Sequence, residues 1–516
     1  MVNVIGNTLY ASNGNVVSSG LKAAAQIAKA PLENVEKSLP IFVRQTMQII
    51  RETGSTESDV VQTAFKTLAV IIRDCSSSQV KEKDSTFLLE LLTPDLEEAS
   101  RQANAFALLR AIVSRKFIIP EIYDLMDRIS EIMVTGQSAQ VQELCRSMLL
   151  QFLLEYPQGK NRMKQHFTFL VKNQSYVFES GRKSVMELLG AILFKFNDDI
   201  VADYADMLFV ALVLVIANDD STKCREMAAQ LVKTLLGRVR EEERKTVICH
   251  VHAWASQHDN PALSRVSSQT YGLILDTLKS DAKPYLATFL DDINSKIRNA
   301  AVSFEEKEDS EDGAISEAKW QIPYQALTTL SKVFQHFPDV ISDYNKVSWS
   351  SVSSLLLYPH AWVRTASCRL LGSLFAATPV CAPNSQFADD FPLSFVGMKE
   401  VANALSLQLK SENLDEALSL QIVKNLFYIG KCFYSIPNGD VEAKEVNATE
   451  GDSESEDGDE ASDGESENET DVSSGDNPLP WLFSRLSYQA RSVYIARVNK
   501  PNQVYVSIRF QCYFIC

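Results

Sequence analysis

The sequence predicts an all-α protein of the HEAT/ARM helical-repeat type, a solenoid, and three observations predict it. A helical unit recurs about every forty residues, and each unit pairs two amphipathic runs. The second run of each pair opens with a polar or acidic turn. Runs that alternate polar and apolar residues, as strands do, are nearly absent. The positions that mark the second helices lie 39 to 42 residues apart: Ala64, Ala103, Leu144, Met186, Ala228 and Thr270.

Residues 1–304 form the first set of HEAT-type repeats, and they begin in the middle of a unit. A loop at residues 12–15 is followed by a second helix over 16–30, whose first helix is missing or weak. Each repeat depends on its neighbours to cover its apolar face. We therefore expect the chain to be the C-terminal piece of a longer protein. Turns at 156–159 and 259–261 separate later helices.

Residues 305–319 interrupt the repeats with a charged segment that we predict to be an acidic loop. Repeats resume over 320–436. An acidic segment, 437–476, is expected to be disordered because it has almost no large apolar residue to bury. Residues 477–500 predict a short amphipathic helix, and residues 501–516 form an atypical, aromatic tail. At least eight helical hairpins are expected, with Ala228 and Ala366 at helix–helix contacts.

The net charge of −16 is concentrated in one place. Residues 440–476 hold 16 acidic residues and one base, so the other residues sum to about −1 and the repeats are nearly neutral. The nine cysteines are scattered and are expected to be reduced. The start of the chain lacks the pattern of a signal peptide. The longest apolar run, 207–217, has 11 residues, too short for a membrane span, and predicts a buried repeat helix.

Catalytic and metal-binding patterns are weak. The residues Cys249, His250, His252 and His258 form the one cluster that resembles a metal site. However, His250 and His252 would lie about 200° apart on a helix, so they cannot share a face. No nucleophile-elbow, zinc-protease or kinase motif is present. We therefore expect no enzyme activity, no cofactor and no small-molecule substrate.

Basic residues recur at similar positions in successive units and predict a ridge that contacts RNA phosphates. The alternative is a solvated surface, or ion pairs such as those of Lys223 or Arg225 with Asp219 and Asp220. Tyr156, Phe167 and Phe169 lie nearby but are expected in the core rather than stacked on bases. The candidate bases are Arg115, Lys116, Lys160, Arg162, Lys164, Arg182, Lys183, Lys223 and Arg225.

The C-terminal segments add two further sets of candidates. The amphipathic helix offers Trp481, Phe483, Arg485, Arg491 and Arg497 for docking on a partner or on RNA. The acidic segment contains three serines with a glutamate three residues on, which is the pattern favoured by acid-directed kinases. These candidate phosphorylation sites are Ser453, Ser462 and Ser466.

Several stretches carry more than the generic repeat pattern. They include residues 6–10 (GNTLY), 106–128 (FALLRAIVSRKFIIPEIYDLMDR), 133–173, 176–189 (YVFESGRKSVMELL), 218–229 (NDDSTKCREMAA), 358–364 (YPHAWVR) and 477–497 (NPLPWLFSRLSYQARSVYIAR). Together they resemble the C-terminal region of the U3 small nucleolar RNA-associated protein 20 family, also called the down-regulated-in-metastasis family. The tail from residue 501 departs from the basic tail expected of that family.

The resemblance implies a non-catalytic HEAT scaffold of the small-subunit processome, the 90S pre-ribosome. Its role would be in 18S rRNA maturation and ribosome biogenesis, in the nucleolus of the nucleus. Its partners would be processome proteins and pre-rRNA or small nucleolar RNA, with no membrane. A HEAT-repeat nuclear transport receptor is the alternative, because such receptors are also acidic solenoids. A pull-down from nuclear extract separates the two: pre-ribosomal RNA and processome proteins, or a transport GTPase and cargo.

Overall fold

The computed structural model describes residues 2–30, 35–75, 80–257, 259–308, 320–379, 393, 395–409, 414 and 416–434. Across these residues it contains 21 α-helices and five short 3₁₀ helices, and no strand. The fold is all-α and of the HEAT/ARM helical-repeat type, as the periodicity predicts. The expected disordered acidic segment, 437–476, lies outside the described residues, as do the segments 477–500 and 501–516.

The chain divides into two compact units, Met1–Ile248 and Cys249–Cys516. In the first unit, six pairs of consecutive helices pack as hairpins, and the second helices α2, α4, α6, α8, α10 and α12 pack on one another in turn. The helices of this unit are α1 (Val2–Thr8), α2 (Gly14–Lys29), α3 (Leu39–Thr53), α4 (Asp59–Asp74), α5 (Glu82–Leu92), α6 (Gln102–Val113), α7 (Pro120–Thr135), α8 (Ala139–Glu155), α9 (Gly159–Asn173), α10 (Glu179–Lys195), α11 (Asp198–Asn218) and α12 (Thr222–Arg238).

The second unit adds three hairpins, formed by α15 with α16, α18 with α19, and α20 with α21. The total therefore exceeds the eight that the repeat spacing predicts. Its second helices α14, α16, α19 and α21 also pack in sequence. The remaining helices are α13 (Glu241–Ala255), within which the division falls, α14 (Pro261–Leu278), α15 (Leu286–Glu308), α16 (Gln321–His336), α17 (Asp339–Ser342), α18 (Trp349–Ser354), α19 (Ala361–Ala377), α20 (Phe395–Gln408) and α21 (Glu416–Tyr434).

The helix boundaries follow from local chemistry. Three helices begin after a polar capping residue: α11 after Asn197, α12 after Ser221 and α14 after Asn260. The side-chain oxygens of these residues accept hydrogen bonds from backbone N–H groups of the first turn. Pro261 then occupies the first helical position, where a missing N–H costs nothing. Gly54 ends α3 at a φ of 68°, a conformation that side chains with a Cβ rarely adopt. The turns predicted at 156–159 and 259–261 are both present.

The start of the chain and the interruption after residue 304 differ slightly from expectation. The weak first helix of the opening unit is α1, seven residues long, and it packs on α2. Helix α15 continues through Glu308, so the expected loop boundary at 305 falls inside a helix. Residues 309–319 lie outside the described residues.

The predicted anchor positions are largely buried. Ala64, Met186, Ala228 and Thr270 are all at most 1% exposed. Two others are displaced along the helix, since Cys145 rather than Leu144 is buried, and Ala105 rather than Ala103. In α19 the next two residues, Ser367 and Cys368, are buried, whereas Ala366 is half-buried. Each residue turns a helix by about 100°, so a shift of one or two positions decides which side chain meets the neighbouring helix.

Helix α11 contains the long apolar run. Within the described residues it is the one helix long and apolar enough to cross a membrane, by length and composition alone. The core helix of a hairpin passes the same test. Here α11 packs against α12, and Leu208, Phe209 and Leu212 are buried.

Candidate nucleic-acid interface

The candidate bases of the first unit fall at two opposite ends of the hairpins rather than on one ridge. Lys160, Arg162 and Lys164 are in the first turns of α9, a first helix. Arg182 and Lys183 open α10 and Lys223 and Arg225 open α12, both second helices. The two helices of a hairpin run in opposite directions, so their starts are about 20 Å apart for helices of this length. The periodicity of the bases does not reveal this, because it does not record helix direction.

Arg182 has a structural role, because its guanidinium forms ion pairs within the fold. Its Nε lies 2.8 Å from Asp219 Oδ2 and its Nη2 lies 3.0 Å from Asp219 Oδ1, and both side chains are almost fully buried. A second carboxylate, that of Asp220, lies 2.8 Å from Nη2. A bidentate pair of this kind joins the starts of two successive repeats. Removing one partner would leave a buried charge unpaired, which typically costs about 3–5 kcal/mol.

Arg225 also belongs to the turn that precedes its own helix. Its Nη1 donates to the carbonyls of Asp219 and Asp220, at 2.6 and 3.0 Å. Arg182 donates in the same way to the carbonyls of Tyr176 and Val177. Arg364 repeats the arrangement in the second unit. In each case the acceptors lie five and six residues upstream, so this arginine stabilises the turn before a second helix.

Lys183 and Lys223 are the other candidate bases at the starts of α10 and α12. Lys223 is exposed and Lys183 is half-buried. Within the described part of the chain neither forms an ion pair within 4 Å. The sequence also allows ion pairs of Lys223 or Arg225 with Asp219 and Asp220. In the structure the Arg182 guanidinium pairs with both carboxylates instead.

At the other end, a chain of tyrosine contacts joins the close of α6 to the start of α9. The Tyr156 hydroxyl donates to the Val113 carbonyl at 3.1 Å, and the Tyr123 hydroxyl donates to the Pro157 carbonyl at 3.1 Å. The Arg162 guanidinium lies over the Tyr123 ring, 4.3 Å from its centroid. These contacts bring the candidates of α6 and α9 into one region.

Arg115 and Lys116 follow the last turn of α6. Arg115 donates to the Cys75 carbonyl at the close of α4, so it caps a neighbouring second helix. Lys116 is exposed and adopts a left-handed φ of 58°, which ends the helix. Lys116 therefore presents a charge to solvent, whereas Arg115 has a structural partner.

Helix α9 presents a basic stripe, which we define as Lys160, Lys164 and Lys172. The three lysines are exposed, and at about 100° per residue they lie within an arc of about 120° around the helix axis. The sequence GKNRMKQHFTFLVKN contains no acidic residue. In the described chain none of the three forms an ion pair within 4 Å. Lys172 is not among the candidates predicted from the sequence, although it follows Lys164 by two four-residue steps.

The basic stripe is bordered by acidic helices. The neighbouring first helix α7 carries Glu121, Asp124, Asp127 and Glu131, and α11 carries Asp198, Asp199, Asp203 and Asp206. Asp198 and Asp199 pair with Arg238 and Arg240 rather than with the stripe. Because charges of the opposite sign flank it, the stripe is a narrow positive strip and not a broad basic surface. Such a strip fits a single strand of phosphates better than a duplex.

The aromatic residues near the stripe belong to the core, as expected for Tyr156 and Phe167. Tyr156 is 4% exposed and Phe167 is 2% exposed. Phe167 stacks on Tyr204 with a centroid distance of 4.2 Å. Phe169 is half-buried. The first unit therefore does not place these rings beside the basic stripe for base stacking.

The described residues of the cluster that resembles a metal site make separate contacts. His252 Nδ1 lies 2.9 Å from Asp292 Oδ2, and His250 stacks on Trp254 at 6.1 Å. Cys249 is an exposed free thiol. Among the described residues, no group of three or more potential ligands could hold a metal ion. His258 lies outside those residues.

The remaining candidates also lie outside the described residues. They are Trp481, Phe483, Arg485, Arg491 and Arg497 of the expected C-terminal helix, and Ser453, Ser462 and Ser466 of the acidic segment.

Comparison with solved structures gives low similarity. Importin beta matches with a TM-score of 0.38 and 13% identity, covering 83% of this chain and 57% of that one. Yeast importin-beta matches with a TM-score of 0.38 and 12% identity, covering 84% and 61%. An engineered protein matches with a TM-score of 0.33 and 14% identity, covering 83% and 98%. Scores this low carry no argument, so the assignment of the fold depends on the helices described above.

Comparison with curated proteins is informative, although no protein-family model matches the chain. The chain is 32% identical over 448 residues to the U3 small nucleolar RNA-associated protein 20 of Schizosaccharomyces pombe, covering 85% of this chain and 17% of that protein. It is 32% identical over 426 residues to the Saccharomyces cerevisiae protein of the same name, covering 82% and 16%. The chain thus spans about one sixth of the length of these relatives. On this similarity, which extends over more than four fifths of its length, the chain belongs to the U3 small nucleolar RNA-associated protein 20 family.

Proposed function

We propose that this chain is a non-catalytic scaffold segment of the small-subunit processome that supports 18S rRNA maturation. The observation that carries the proposal is its relationship to two proteins that are named for association with the U3 small nucleolar RNA. The same relationship supports a nucleolar location. Partners are processome proteins and pre-rRNA within a large ribonucleoprotein, and no cofactor is involved.

The basic stripe of α9 is the proposed contact with pre-rRNA. Lys160, Lys164 and Lys172 are exposed and have no carboxylate partner among the described residues. Lysines that neutralise phosphates release condensed counterions, so RNA affinity depends steeply on salt. Lys116 and Lys223 are exposed additions at the two ends of the hairpins. Arg182 and Arg225 support the surface indirectly, since their guanidinium groups hold the turns before α10 and α12.

The test is to replace Lys160, Lys164 and Lys172 together with glutamine and to measure binding of a single-stranded pre-rRNA fragment over a range of salt concentrations. Three lost contacts should lower the slope of log affinity against log salt by about 2, because each phosphate contact with a single strand contributes about 0.7. The same change at Lys22, Lys66 and Lys83 is the matched control, since these lysines are also exposed in the first unit. An equal loss of slope in both variants would show that the effect is general charge and not the stripe.

The scaffold role is tested by association with pre-ribosomal particles. The stripe variant, expressed in the full-length protein, should reduce co-sedimentation with pre-ribosomal RNA, and the control variant should sediment as the wild type. The alternative, a nuclear transport receptor, predicts capture of a transport GTPase and cargo instead.

We also propose that the acidic segment 437–476 is a phosphorylatable spacer and that the helix over 477–500 docks through Trp481 and Phe483.

A further inference from the structure

A cluster of four rings lies at the starts of two successive second helices in the second unit. Trp320 precedes α16 and His360 precedes α19, and their rings stack with centroids 3.7 Å apart and planes at 4°. Trp362 stands edge-on to Trp320, at 5.2 Å and 87°. Tyr324 completes the cluster, 5.6 Å from Trp362. We call Trp320, Tyr324, His360 and Trp362 the tryptophan cluster.

The tryptophan cluster is open to solvent. Trp362 is 57% exposed, and the other three side chains are half-buried. Trp349, by contrast, is 2% exposed in the core. Two tryptophans and a tyrosine gathered at a surface expose more apolar area than the repeat packing requires. Such gatherings mark interaction sites, and tryptophan and tyrosine dominate the binding energy of interfaces.

The rings are held in place before any ligand arrives. The Trp362 backbone N–H donates to His360 Nδ1 at 3.3 Å, so the histidine caps α19 and cannot rotate freely. Arg364 donates to the Tyr358 and Pro359 carbonyls and fixes the turn that carries His360. Desolvation, and then the charge of Arg364, lowers the pKa of His360, so its imidazole is neutral at pH 7. The stacked pair therefore presents aromatic rings and no positive charge of its own.

The charge of the connecting sequence distinguishes between possible ligands. Helix α15 ends at Glu308 and Trp320 immediately precedes α16, so the connecting sequence is joined directly to a residue of the cluster. Residues 305–319 contain seven acidic residues and two lysines. A local net charge of about −5 repels RNA phosphates and attracts cations. Electron-rich ring faces attract cations as well, arginine most often.

We propose that the tryptophan cluster binds an arginine side chain of a basic protein segment. The guanidinium stacks on the exposed face of Trp362, where a planar cation and an aromatic ring match in shape. The acidic connecting sequence raises the local concentration of basic segments. This site lies in a different unit from the basic stripe and takes a ligand of the opposite charge, so it does not depend on RNA binding by α9.

The test uses fluorescence anisotropy of a labelled short peptide of alternating arginine and glycine, at physiological ionic strength, with the full chain. Trp362→Ala should weaken binding about five- to tenfold, which is the range expected for a partly desolvated cation–π contact. Trp362→Tyr should stay within about threefold of the wild type, because a ring remains. Phe194→Ala is the matched control, since Phe194 is 79% exposed but lies in the first unit. It should bind the peptide as the wild type does.

Two further probes make the result decisive. A peptide with citrulline in place of arginine keeps the shape and loses the charge, and it should bind at least about tenfold more weakly. A short single-stranded oligouridylate should bind wild type and Trp362→Ala equally. If Trp362→Ala keeps full affinity for the arginine peptide while its circular dichroism and melting curve match the wild type, attraction is due to the acidic sequence alone and the proposal fails. It fails equally if Trp362→Ala loses affinity for the oligouridylate, which would make the cluster a base-stacking platform.

Discussion

At the scale of single residues, the polar groups buried in the second unit include a lysine whose charge works against folding. Lys296 is 4% exposed, and its ammonium group donates to the hydroxyls of Ser267 and Ser268, at 2.5 and 3.0 Å. Desolvation lowers the pKa of Lys296 from 10.5 to about 8, although Asp292 acts in the opposite direction. Two hydroxyls replace water poorly around an ammonium ion.

The sign of the pH dependence follows from that shift. Below pH 8 the lysine is protonated in both states and the folded state bears the full cost of burying the charge. Between pH 8 and about 10.5 the unfolded chain holds a proton that the folded chain has released, so stability rises with pH. We expect the wild type to gain about 2–3 kcal/mol between pH 7 and 10 relative to Lys296→Met, because each pKa unit corresponds to about 1.4 kcal/mol.

Urea unfolding followed by tryptophan fluorescence checks this prediction. All five tryptophans lie in the second unit's sequence, at 254, 320, 349, 362 and 481, so the signal reports on the unit that contains Lys296. Lys283→Met, a change at an exposed lysine of the same unit, should follow the wild type. Parallel stability curves for the wild type and Lys296→Met would contradict the buried charge.

At the scale of helices, close packing between second helices sets the tolerance for larger side chains. Helix α12 packs on α10 and α11, and Ala228 is fully buried in it. We expect Ala228→Leu to destabilise the first unit by about 1–3 kcal/mol, since the added atoms force neighbouring helices apart. Thermal unfolding followed by circular dichroism at 222 nm, a standard helix wavelength, measures it.

The adjacent alanine supplies the control. Ala229 is half-buried, because one residue further along turns the side chain about 100° away from the contact. Ala229→Leu should therefore cost less than about 0.5 kcal/mol. Equal losses for the two variants would mean that the register of α12 against its neighbours is not the one described.

At the scale of the whole molecule, charge and folded structure are separated along the chain. Nearly all of the net charge of −16 resides in residues 440–476, whereas the described core is built from the hairpins. Deletion of 440–476 should leave the melting temperature within about 1 °C of the wild type, since the segment has almost no apolar surface to contribute. A cooperative loss of helicity in the deletion variant would show instead that the segment packs on the repeats.

The sequence by itself determined the all-α repeat architecture, because amphipathic periodicity, capping residues and turn prolines act over only a few neighbouring positions. Asn260 and Pro261 begin α14 for local reasons that can be read without a structure. The burial of Ala64, Met186 and Ala228 follows from the same periodicity. The division of the chain within α13 has no such local signal.

Only the tertiary structure decided which charged and aromatic residues are available to a partner. Arg182 and Lys183 are adjacent in sequence, yet the Arg182 side chain is paired with Asp219, 37 residues away. Trp320 and His360 form a stack although 40 residues separate them, because the starts of successive second helices meet in space. Contacts between repeats depend on helix direction and on the rotation of each helix about its axis. A periodic pattern in one sequence specifies neither well enough to pair individual side chains.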